Sequence, residues 1–361
     1  MGKYTEAENL EIQVLDARDK ILGAEHPDTI LAMGNLASTY RDLGKHREAE
    51  KLGIQVLDAR YKILGDGHPA TISAQGNLAS TYRNLGRHTE AEKLQIQVLD
   101  ARNKILGEEH PSTILAKANL ASTYRDMGKH TEAEKLKIQV LDARNKILGE
   151  EHPDTISAQA NLASTYSDLG KYTEAENLEI QVLDARNKFL GEEHPDTILA
   201  KGNLASTYTD LGKYTEAEEL EIQVLDSRYK ILGEEHPDTM LAKGNLASTY
   251  GDLGKYREAE KLLIQVLHAS SKILGGEHPL TIGAMTNLAA IQKTLSQSIN
   301  VDNAENQVFN TSHGVSVTQG MEEENVDTGV PHATNIVPTT NVDHRVIHSQ
   351  KKGIKLTCYF P

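Results

Sequence analysis

Residues 26–44 read HPDTILAMGNLASTYRDLG, and this stretch returns almost unchanged along the chain. His-Pro begins it at His26, His68, His110, His152, His194, His236 and His278, always at a step of 42 residues. Tyr40, Tyr82, Tyr124, Tyr166, Tyr208 and Tyr250 keep the same step, as do Gly44, Gly86, Gly128, Gly170, Gly212 and Gly254. A fixed period of this length is the mark of one supersecondary unit laid down repeatedly.

Each unit reads as two helices. Pro27 suits a first turn, where its missing N–H would have had no partner, and Asp28 and Thr29 suit that end electrostatically or as caps. Ile30, Met33, Leu36, Ala37 and Tyr40 follow at steps of three and four, one helical face. Gly44 stops the helix by taking a left-handed conformation. A second helix opens near T-E-A-E, as at Thr89–Glu92, where Thr can cap and Glu reach back. Arg47 and Arg257 replace that Thr, which predicts weaker caps there. Ala49, Leu52, Val56, Ala59 and Ile63 form the expected buried stripe, and Gly65 ends it. Helices of about 17 and 18 residues on short loops predict antiparallel hairpins stacked side by side. The fold class expected is all-α, a right-handed α-solenoid. The Gly and His-Pro breaks exclude a continuous coiled coil.

Residues 1–296 are expected to hold the repeats: a second helix lacking its partner, six full pairs, and a closing first helix over 279–295. Leu10, Val14 and Ile21 are then left partly uncovered, which suggests a remnant of a longer array or a truncated reading frame. The period stops after Leu295, and residues 297–361, rich in Asn, Val, Thr, Ser and His, read as a disordered tail.

Composition fits thin layers rather than one large core: 38% of the 361 residues are hydrophobic, 4% aromatic, and none is Trp. A formal charge of −14 disfavours nucleic acid and membrane surfaces as partners. The charged N-terminus lacks a signal-peptide core and no apolar stretch nears membrane length, so the cytoplasm is the expected compartment. The sequon at Asn310 is then idle.

Chemistry finds no foothold, and no enzyme, cofactor or metal is expected. Acid-His groups such as Glu150, Glu151, His152 and Asp154 recur in separate layers about 20 Å apart. Zinc ligands must meet within about 2.0–2.2 Å of one ion. Gly44-Lys45 and its copies lack the frame of a phosphate loop. Cys358 is a lone cysteine in the tail.

The arrangement NLASTY, a helix-ending Gly, then EAE resembles the tetratricopeptide repeat, with Leu36, Ala37, Tyr40, Gly44 and Ala49 at its signature positions. The phrases NLASTYRDLGK, EAEKL and KILGEEHPDTI resemble the kinesin light chain type. The near-identity of the copies is similar to the repeat arrays of fungal STAND-type proteins. The resemblance implies a protein-interaction scaffold whose first helices line a concave groove. It places Asn35, Asn77, Asn119, Asn161, Asn203, Asn245 and Asn287 in that groove, where an amide can pair with the backbone of an extended peptide. A capping or interhelical role for the same ladder is the alternative. If the varying first-helix positions also face the groove, Arg41, Arg83, Arg125, Lys117, Lys201 and Lys243 suit an acidic segment; otherwise they are drift on a solvated face. A second functional reading is the recognition region of a signalling STAND-type NTPase whose catalytic domain is missing here. Partner identity and oligomeric state are not encoded in any motif.

Overall fold

A computed structural model of the chain describes the backbone of residues 2–314 and the side chains of residues 4–297. Every regular element among them is helical. They divide into two compact units, one running to Lys213 and the other starting at Tyr214.

In the first unit, α1 (Gly2–Leu22) is followed by four hairpins of a 16-residue first helix and a 19-residue second helix. These are α2 (Pro27–Asp42) with α3 (His46–Leu64), α4 (Pro69–Asn84) with α5 (His88–Leu106), α6 (Pro111–Asp126) with α7 (His130–Leu148), and α8 (Pro153–Asp168) with α9 (Tyr172–Leu190). The first helix α10 (Pro195–Asp210) closes the unit. Within this unit consecutive helices pack on one another from α1 to α10, and first helices of successive repeats also touch, α2 with α4 and α4 with α6. The second unit holds α11 (Tyr214–Leu232), α12 (Pro237–Asp252), α13 (Tyr256–Ile273) and α14 (Pro279–Gly314), again packed in succession.

The local physics repeats with the sequence. His26 is the N-cap of α2: its Nδ1 accepts the N–H of Asp28 at 3.2 Å, with Pro27 as the first helical residue. His68, His110, His152, His194, His236 and His278 do the same. The histidine is thus the cap; of the two roles expected for Asp28 and Thr29, capping falls away, and Asp28 stands in the first turn as an acid. Gly44 has φ +74° and lies one residue beyond the C-cap, Leu43, as its motif requires.

The second helix departs from expectation in its capping. It opens where expected, at His88 beside Thr89 and at the equivalent His46, but the N-caps are Arg87 and Lys45 and neither makes a side-chain capping bond. The capping box is therefore absent, and Arg47 and Arg257 weaken nothing. Lys45 is spent elsewhere: its Nζ meets Oε1 of Glu8 at 2.6 Å and lies 5.7 Å from the centre of the Tyr40 ring. Lys129–Glu92, Lys171–Glu134 and Lys213–Glu176 repeat the pair at 2.8, 2.6 and 2.6 Å. A second ladder runs from Arg60 to the carbonyl of Ala70 (2.8 Å), repeated by Arg102 to Ser112 and Arg144 to Asp154. Each ties a second helix to the first turn of the next repeat.

Burial is thin, as layers demand. Ile30, Leu36, Ala49 and Val56 are buried, but Ile63, in the last turn of the second helix, is 48% exposed and falls outside the expected buried stripe. The pattern also hid Thr29, Ala32 and Thr39, all buried. Leu10, Val14 and Ile21 on α1 are exposed. At the other end, Ser296 stands where six repeats have the helix-stopping Gly, and α14 runs on to the next glycine, Gly314. Residues 297–314 are thus helical where no regular element was expected; the rest of the expected tail, with Cys358, lies outside the described residues.

Candidate functional site

The asparagine ladder sits on the first helices, and in the first unit consecutive rungs share hollows. Asn35 and Asn77 line one of about 240 Å³, Asn77 and Asn119 one of about 200 Å³, and Asn119 and Asn161 one of about 260 Å³. Behind each lies a second helix, which contributes Arg60, Arg102 or Arg144 to the wall. Asn35, Asn77, Asn161 and Asn203 are exposed and Asn119 is half-buried. Among the described residues their side-chain amides make no hydrogen bond to the chain; Asn77 and Asn161 contribute only their carbonyls, to Thr81 and Thr165. The capping alternative therefore loses its geometric basis in this unit. In the second unit, Asn245 and Asn287 are half-buried.

The six cations are less free than the sequence suggests. Arg83 lies 3.4 Å from Asp126, and Arg125 bonds the carboxylate of Asp168, each reaching the following first helix. Arg41 lines the first hollow, where it donates to Oγ of Ser38 at 2.9 Å. Lys117 is 3.8 Å from Glu108. Lys201 is buried, and in the second unit Lys243 is buried against Glu234 (2.8 Å) and Gln265 (3.2 Å). Self-pairing of Arg83, Arg125 and Lys243 consumes charge that an acidic ligand would otherwise meet.

Titration is perturbed on the second helices instead. The Lys137 ammonium is buried, bonded to the carbonyl of Asn161 (2.8 Å) and Oγ1 of Thr165 (2.6 Å), and burial lowers its pKa to about 8. Burial raises the Glu179 carboxyl to about 7, against the opposing pull of the Thr207 hydroxyl, while Asp210 adds to the rise. In the second unit Glu221 is raised to about 7 by the same cause. These three occupy one equivalent position, and sequence reasoning missed it because attention went to variation on the first helix. The available signal was a slot inside an apolar stripe that reads Gly53, Gln95, Lys137, Glu179.

No described helix is long and apolar enough to cross a membrane. Nor, among the described residues, does any group of three His, Cys, Asp or Glu side chains stand close enough to hold a metal ion.

The chain matches the tetratricopeptide repeat family model over residues 1–62, 70–136, 113–188, 196–267 and 238–298. No curated protein matches it. Among solved structures, it is similar to the nearly identical repeats of a putative kinesin light chain from Podosopora anserina, at 36% identity and a TM-score of 0.52. That match covers 57% of this chain and 97% of the other. BtubC from P. vanneervenii shares the fold at 19% identity and a TM-score of 0.52, over 66% of this chain and 93% of that one. A STAND protein with a tetratricopeptide repeat sensor from Pyrococcus horikoshii does so at 16% identity and 0.60, over 78% and 42%.

Proposed function

This chain belongs to the tetratricopeptide repeat family, with repeats of the kinesin light chain-like type, and on that premise we propose that it is a non-enzymatic scaffold holding an extended peptide of another protein along its first helices. The observation that carries the reading is the sharing of hollows by Asn35, Asn77, Asn119 and Asn161, with every amide unspent. An unspent amide offers donor and acceptor to a peptide backbone whatever its sequence. The contact of α2 with α4 and of α4 with α6 supports the reading, since it draws the rungs together on that side. At about 20 Å per repeat and about 3.3 Å per extended residue, a ligand meets one rung every six residues or fewer. A polypeptide can span several rungs; a metabolite cannot.

Hydrogen bonds that net about 0.5–1.5 kcal/mol each, offset by ordering of the ligand, give micromolar affinity, roughly −8 kcal/mol. The test is a random-peptide display library panned against the full chain. Enriched peptides should bind the native protein and lose binding when Asn119, Asn161 and Asn203 are all replaced by Ala, with melting unchanged. Enrichment of nothing, or binding that survives the triple substitution, refutes the ladder. Arg83 and Arg125 each already face a carboxylate, which leaves less of their charge for an acidic ligand.

A further inference from the structure

One position breaks the near-identity of the repeats more than any other in the packed interior. Four residues after the constant alanine of each second helix stand Glu11, Gly53, Gln95, Lys137, Glu179, Glu221 and Leu263, five residue types in seven copies. The position is a buried one: Gln95 is 4% exposed, Lys137 6% and Glu179 6%. It has no intrinsic need of polarity. Leu263 fills it at 1% exposure, packed with Ala247, Ala259 and Ile291. Where it is an amide or a carboxylate, an oxygen is left stranded, for Oε1 of Gln95 and Oε2 of Glu179 are buried without a partner. Such atoms forfeit their hydration with nothing in exchange. A position serving packing alone would be apolar in every copy.

What these side chains do face, in the first unit, is the row of hollows. Gly53 lines the hollow between Asn35 and Asn77, Gln95 the next, and Lys137 the third. The asparagines at the rims are the same in all three, so the second-helix residue is what makes one hollow differ from another. An ammonium carries three donors, and Asn161 and Thr165 take two from Lys137. Arg144 lines the same hollow with one nitrogen committed to the carbonyl of Asp154, and Asp154 itself stands exposed at the rim. The walls therefore carry one net positive charge.

We infer that this second-helix position reads the ligand hollow by hollow, and that the hollow of Lys137 and Arg144 takes a carboxylate side chain of the bound peptide. The Gln95 hollow, by its stranded acceptor, takes an amide or hydroxyl donor. The inference rests on the peptide-binding reading above and gives it a selectivity. The lowered pKa of Lys137 fits it: burial has stripped the ammonium of water, and an incoming carboxylate restores the lost stabilisation.

The test repeats the display selection on the full chain with Lys137→Glu and Lys137→Gln. Both substitutions use residues that other repeats carry at this position, Glu179 and Gln95, so both variants should fold, as melting will report. Peptides selected by the native chain should carry Asp or Glu at one position. Lys137→Glu should move that position to Lys or Arg, and either variant should bind a native-selected peptide about tenfold more weakly. The inference is overturned if peptides bind the native chain but their acidic position is missing, or is unchanged in Lys137→Glu. Enrichment of no peptide by any variant overturns it together with the scaffold reading, and so separates the two failures.

Discussion

Glu179→Gln tests whether buried polarity at the second-helix position is a real cost to the fold. The carboxyl is 6% exposed, one oxygen has no partner, and its pKa rises from an ordinary 4.5 to about 7. Its folded-state pKa is the higher one, so the native state holds the proton more tightly than the unfolded chain. The stabilisation is complete below about pH 4.5 and is lost as the pH rises through 7. The gap between those values corresponds to about 3 kcal/mol, of which Glu179→Gln should remove the pH dependence without removing the volume. The assay is urea unfolding followed by far-UV circular dichroism at pH 5 and pH 8. Between pH 5 and pH 8 most of that gap is crossed, and the native chain should lose about 2.5 kcal/mol more than the variant. A repeat array can unfold in steps, so the comparison uses the transition that the substitution shifts. Equal losses in the two proteins would refute the account and place Glu179 in contact with water.

Further outcomes follow from the repeated contacts. Glu221→Gln in the second unit should flatten the same pH window by a similar amount, since its carboxyl is also raised to about 7. His152→Ala removes the acceptor of the Asp154 N–H and should cost about 0.5–2 kcal/mol in unfolding experiments. Gly128→Ala places a side chain at φ +72° and should cost about 1–2 kcal/mol. Leu162→Ala, in the core formed with Ile114, Val140 and Ala158, should cost about 2–5 kcal/mol by leaving a cavity.

The same arithmetic explains what was legible in the sequence. Gly44, Pro27 and the 42-residue step each act through the backbone, and backbone demands are local: a positive φ or a missing N–H is written in one residue. Helix number, hairpin pairing and the left-handed stops are therefore legible in the sequence. The capping residues are not, because Lys45 is chosen by a carboxylate 37 residues earlier, Glu8, and His26 caps through a ring nitrogen that composition does not advertise. The extension of α14 was open to reading, since Ser296 and the lack of any Gly or Pro before Gly314 remove the usual stop; what hid it was a polar composition that weakens apolar periodicity. The ladder of asparagines was found because it never changes. The slot of Gly53, Gln95, Lys137 and Glu179 was passed over because it does, and in copies this alike, change at a buried position is the more informative signal. A residue that must fit the same neighbours in every repeat, yet alternates between glycine, amide, ammonium and carboxylate, answers to something outside the repeat. The hollows between the first helices are where that something can reach it.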